Sequence, residues 1–129
     1  MNSCKLSEIA ANAATKAVTD LLSGGYLDLY GGSRSEGPAK SQNRILRIPL
    51  SDPAFAPPQS GRAEAKRSWE SDPAEATGSP EWFRAYTKEG KPVMDGTVGE
   101  SGADLTLNDT RIKVGTIVFV RGFSFRASV

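Results

Sequence analysis

The chain has 129 residues, 38% of them hydrophobic and 24% charged, which is the size and make-up of one globular domain able to bury its own core. Lys and Arg number 16 against 15 Asp and Glu, and a net charge of +1 gives no electrostatic reason to expect a nucleic-acid partner or an anionic membrane. There is no histidine and a single cysteine, Cys4, so a Ser-His-Asp triad, a Cys-His pair, a histidine-ligated metal and an internal disulfide are all excluded.

At the N-terminus, Met1–Glu8 lacks the basic start and apolar stretch of a signal peptide. No apolar run reaches the roughly 20 residues that cross a bilayer. Cys4 reads as a tail residue, and the chain suits a reducing cytoplasm. Leu6–Ser23 predicts the one helix. Leu6, Ile9, Ala10, Ala13, Ala17, Leu21 and Leu22 recur near a 3.6-residue period, alanine favours helix, and Gly24 and Gly25 supply a stop. This alanine-rich stripe could pack on the domain or on a neighbouring subunit. The organisation expected is a helical arm over residues 1–24 and a β-sandwich domain over 25–129.

Tyr26–Tyr30 alternates, with Tyr26, Asp28 and Tyr30 on one face and Leu27 and Leu29 on the other, and predicts a half-buried strand. Gly31–Pro38 is a loop. Arg44–Leu50 is a strand with Leu46, Ile48 and Leu50 inward, and Pro49 places it at an edge. Ser51–Pro58 is a proline-rich connection in which Phe55 plugs the core. Gly61–Trp69 alternates weakly, with Ala63, Ala65, Arg67 and Trp69 together, and Glu70–Gly78 is turn-rich.

A closing series of short strands follows: Glu81–Thr87, Lys91–Thr97, Ala103–Leu107, Arg111–Val114 and the long Thr116–Arg126, separated by turn signals. In the last of these, Ile117, Phe119, Phe123 and Phe125 oppose Val118 and Val120, which predicts burial on both faces along its first half. About eight strands at these spacings predict a mainly β fold, an antiparallel, jelly-roll-like sandwich with one N-terminal helix.

Candidate chemistry is sparse. Asp95, Glu100, Asp104 and Asp109 could supply a carboxylate pair or calcium oxygens, but their spacing matches no calcium loop and aspartate in turns commonly bonds its own backbone. Gly99 and Gly102 lack the lysine and helix of a phosphate cradle. Nothing in the sequence calls for a cofactor. Tyr26, Tyr30, Trp69, Trp82, Phe83 and Tyr86 could stack on sugars or bases. Trp82 and Phe83 fall on opposite faces, so at least one belongs to the core. Arg111, Lys113, Arg121 and Arg126 read as a solvated face or a protein interface. The residues expected to carry contacts are Leu6, Ile9 and Ala13 on the helix, with Tyr26, Tyr30 and Trp69.

Leu21–Gly32, Arg47–Phe55, Trp82–Tyr86, Val93–Gly99 and Ser101–Asn108 resemble a family of small proteins encoded by tailed bacteriophages and prophages. Val93–Leu107 is the most specific part. The resemblance implies a virion structural protein without catalytic residues: a capsid cement or decoration protein on the capsid surface, made in the host cytoplasm. It would bind the major capsid protein and itself, as a homodimer or homotrimer. A tail or head–tail connector component, and a carbohydrate-binding module for host attachment, are the rival readings.

Overall fold

The computed structural model describes residues 5–34, 37, 44–66 and 68–127. Cys4, Arg67 and part of the Gly31–Pro38 loop lie outside them. A helix, α1 (Glu8–Leu22), precedes seven strands: β1 (Tyr26–Tyr30), β2 (Arg44–Pro49), β3 (Arg62–Glu64), β4 (Trp82–Tyr86), β5 (Pro92–Gly99), β6 (Leu105–Leu107) and β7 (Val120–Arg126). Ser7 caps the helix by accepting the Ala10 N–H at 3.2 Å, with Glu8 in the first turn where the helix dipole favours an anion. Gly24 leaves the helix with φ of 76°, a left-handed conformation that costs glycine little.

All seven strands belong to one sheet, in the order β2-β1-β4-β5-β6-β7-β3, curled into a half-barrel. The mainly β class with a single helix is therefore what the structure shows. A division into two facing sheets is not seen. The pairing is mixed as well, because β5 and β6 run parallel through Val98↔Leu105 and Gly99↔Thr106.

An irregular segment, residues 68–78, closes the curl. On one side Asp72 and Glu75 donate their N–H groups to the Arg47 and Ile45 carbonyls of β2, at 2.9 and 2.7 Å. On the other, Ser71, Ala74 and Gly78 donate to Val118, Thr116 and Ile112. The outer edge of β2 is thus satisfied, and Pro49, next in that outward series, has no N–H to leave unpaired.

The core fills the concave side. Leu27 and Leu29 of β1, Leu46 and Ile48 of β2 and Ala85 of β4 are fully buried there, with Phe83, Leu105, Leu107, Val118, Val120 and Phe123. Phe55 packs among Trp69 and Phe123, as its place in the proline-rich connection predicts.

Three expectations are corrected. Gly61–Trp69 is a strand only over Arg62–Glu64, after which Ala65 bridges Phe55. Arg111–Val114 makes a single bridge, Ile112↔Gly78, and is no strand. The start of the closing segment is buried on one face alone: Val118 and Val120 are inside, whereas Ile117 and Phe119 are 44% and 47% exposed. Phe123 nonetheless returns to the core. Thr106 pairs with Gly122 and Leu107 with Val120, which leaves Arg121 as an extra residue, and this bulge shifts the alternation by one.

Candidate functional site

Helix α1 docks through the Thr15 hydroxyl and the Asn12 amide more than through its apolar stripe. Its buried residues are Thr15, Thr19 and Leu22. The Thr15 hydroxyl donates to the Gly61 carbonyl at 2.6 Å and accepts the Ala127 N–H at 3.1 Å. Asn12 Oδ1 accepts the Gly61 N–H at 2.7 Å, and a Cβ on Gly61 would stand 3.1 Å from the Ala11 methyl. With the docked side committed to these bonds, the opposite side carries the stripe. Ile9 is 83% exposed, Leu6 42% and Leu21 53%, and Ala13 and Ala17 are exposed between them. Ile9, Ala13, Ala17 and Leu21 share one side of the helix at four-residue spacings, whereas Leu6 precedes the N-cap Ser7 and lies in a cleft with Ser60, Gly61 and Arg126. A Lys16–Asp20 ion pair at 2.7 Å lies along the same side.

Tyr26 and Tyr30 sit elsewhere, on the convex face of the sheet. Register aligns Asp28 with Arg47 and Arg84, and Arg84 with Asp95, so four strands contribute one charged row. Asp28 is 4% exposed and accepts from Arg47 at 2.7 and 3.0 Å and from Arg44 at 3.2 Å. Arg84 grips Asp95 through two nitrogens, at 2.7 and 3.0 Å, while Arg34 reaches the same carboxylate at 2.9 Å. Burial on its own would raise the Asp95 carboxyl, but the guanidinium groups of Arg84 and Arg34 outweigh it and hold that carboxyl below its ordinary value. On either side of the row, Tyr26 stacks on Tyr86 at 5.0 Å and Tyr30 on Trp82 at 4.7 Å. Burial, with the nearby Asp28 charge, pushes the Tyr30 phenol above its ordinary pKa. The Trp82 Nε1 is buried with no hydrogen-bond partner among the described residues. This row holds the sheet together, and Tyr30 and Trp82 turn their rings to each other.

Trp69 is a core residue, 3% exposed and packed between Phe55 and Phe123, with Nε1 donating to the Ser51 hydroxyl. It therefore offers no surface to a partner. The structure places Ile9 and Ala13 on one exposed side of α1, Leu6 ahead of the helix beside Gly61, Tyr26 and Tyr30 on the convex face, and Trp69 in the core.

Three of the four candidate acids bond backbone or hydroxyl groups within ten residues of themselves. Asp104 accepts the Thr97 N–H and hydroxyl, Glu100 accepts those of Thr110, and Asp109 accepts the Arg111 N–H two residues on. Asp95 lies in a strand rather than a turn, and its partners are arginines. Among the described residues no three acidic or thiol side chains gather as metal ligands, and no helix is long and apolar enough to cross a membrane.

Sequence reading overlooked two features. Val114, Ile117 and Phe119 form a second exposed apolar run, unmarked because the bulge at Arg121 is invisible in the alternation. The charged row did leave a signal: Arg84 stands between Trp82 and Tyr86 on an otherwise apolar strand, where a partner is required. No known family model matches this chain, nor does any curated protein or solved structure.

Proposed function

We propose that this protein is a virion structural protein, a capsid cement that binds neighbouring major capsid subunits through the outward side of α1. The observation that carries the reading is the row Ile9, Ala13, Ala17 and Leu21, held away from the sheet by the Thr15 and Asn12 hydrogen bonds. A helix offering exposed apolar anchors at four-residue spacing suits an apolar groove, and the Lys16–Asp20 pair beside them suits its polar rim. Ala13 and Ala17 let a second backbone approach closely, while the fixed mount lowers the entropy lost on docking.

The resemblance of Val93–Leu107 to small tailed-phage structural proteins supports the same reading. That stretch forms β5, its loop and β6, the parallel pair in the sheet. As a homodimer or homotrimer the protein would span several shell subunits, so that individually weak contacts add through effective concentration.

The test is co-sedimentation of the purified protein with shells of the parent phage, together with its copy number on mature heads. Near-stoichiometric copies are expected, as is loss of shell binding on Ile9→Glu with the fold intact. Absence from mature heads would sink the reading.

A further inference from the structure

Among the described residues, a lane of the sheet is open between β5 and β7. Strand β6 occupies it only over Leu105–Leu107, pairing with β5 at Val98 and Gly99 alone. Beyond β6, among the described residues, no strand pairs with the side of β5 away from β4 over Pro92–Gly96, or with the side of β7 away from β3 over Ser124–Arg126. Where β6 intervenes, the two strands are two pairings apart, roughly 9.5 Å. A cleft of ≈ 560 Å³ continues that gap, lined by Phe83, Met94, Phe123, Phe125, Ser124 and Arg126, among others.

Hydrogen-bond direction shows what the lane offers. The Val98 N–H donates to the Glu81 carbonyl on the β4 side, so by antiparallel alternation Asp95 and Thr97 direct their backbone groups the other way. Thr97 does so visibly, giving its N–H to Asp104. Ala65 donates to the Phe123 carbonyl on the β3 side, so Ser124 and Arg126 direct theirs into the lane. Side chains divide equally cleanly. Phe83, Phe123 and Met94 line the inward side, and the Phe83 ring lies under Gly96, where a Cβ would come within 2.4 Å of it. Of the two carboxylates lining the cleft, Asp95 is paired with Arg84 and Arg34 and Asp104 is held by the Thr97 N–H and hydroxyl, whereas Arg126, and Arg121 in the adjoining cleft, make no ion pair among the described residues.

From this geometry we propose that the lane accepts an extended peptide of a partner protein as an added strand, with apolar side chains inward on Phe83 and Phe123 and acidic ones outward on Arg126. Strand addition draws affinity from main-chain bonds and specificity from alternate side chains, and this lane presents both. The site uses none of Ile9, Ala13, Ala17 and Leu21, so it stands or falls separately from the shell-binding reading.

The experiment is calorimetric titration of the full chain with the capped hexapeptide Val-Glu-Val-Glu-Val-Glu. Two further peptides are compared, one N-methylated at alternate residues and one with Lys in place of Glu. The parent peptide is expected to bind, and each change to weaken it at least tenfold. Ser124→Pro, which removes a lane-facing N–H without touching the β3 ladder, is expected to weaken it similarly at an unchanged melting temperature. Absence of binding, or equal binding of parent and N-methylated peptides, overturns the proposal. Should Ser124→Pro fail to fold, the peptide comparison on the native chain decides alone.

Discussion

The Thr15 hydroxyl lies 2.6 Å from the carbonyl oxygen of Gly61, and this buried contact decides which side of α1 faces the sheet. The same oxygen accepts the Ala127 N–H, so one side chain satisfies two distant segments of backbone. Thr15→Val keeps the shape and removes both bonds, leaving a buried carbonyl and a part-buried N–H unsatisfied. It is expected to cost about 1–3 kcal/mol, read by urea unfolding, with Thr15→Ser losing markedly less. Equal stability of the valine variant and the native chain would contradict this role.

Substitutions on the opposite side of α1 should separate stability from binding. Ile9 is 83% exposed and lies outside the core. Ile9→Glu is therefore expected to shift unfolding by no more than about 0.5 kcal/mol, as is usual for surface positions. Thermal melts followed by circular dichroism check the first expectation and shell co-sedimentation checks the loss of binding.

The Arg84–Asp95 pair predicts a pH dependence. Because the folded Asp95 carboxyl titrates below its ordinary 3.8, its stabilisation is present in full above that value. It is lost as pH falls through the lower folded value. Asp95→Asn leaves the 9%-exposed Arg84 side chain without its carboxylate and is expected to cost about 1.5–3 kcal/mol at neutral pH. The gap between native chain and variant should narrow below about pH 4. A gap that widens on acidification would contradict the assignment.

Two glycines should respond oppositely to alanine. A Cβ on Gly25 would stand 2.1 Å from the Tyr86 carbonyl oxygen and 3.1 Å from that of Leu22, and backbone atoms cannot step aside. Gly25→Ala is expected to destabilise by at least about 3 kcal/mol, beyond the usual range for overpacking. Gly122 has nothing within 4 Å of the added carbon and no positive φ. Gly122→Ala is expected to be neutral or to stabilise by up to about 1 kcal/mol, because it restricts the unfolded chain. Denaturant midpoints measured on both variants provide the comparison.

Much of the local structure was legible before any folding. Leu27 and Leu29 against Tyr26, Asp28 and Tyr30 reveal β1 by alternation, Pro49 marks an edge, and the alanine-rich period from Leu6 to Leu22 reveals α1. Alternation reports which residues share a face. It does not report which face is buried twice over, and so Trp69 entered the list of contact residues although Phe55 and Phe123 enclose it. The side of α1 that docks was equally hidden. The apolar stripe was visible, but Thr15 occupies the buried side because Gly61 and Ala127, 46 and 112 residues away, supply its partners.

The sequence by itself determined the β class, the single helix, the edge character of β2 and the absence of histidine chemistry, since each follows from residue type and short-range periodicity. Only the tertiary structure decided that the strands form one curled sheet, that α1 turns its apolar side outward and that, among the described residues, no strand fills the lane between β5 and β7 beyond β6. Those outcomes depend on which backbone groups find partners across long stretches of chain, and local pattern holds no record of those pairings.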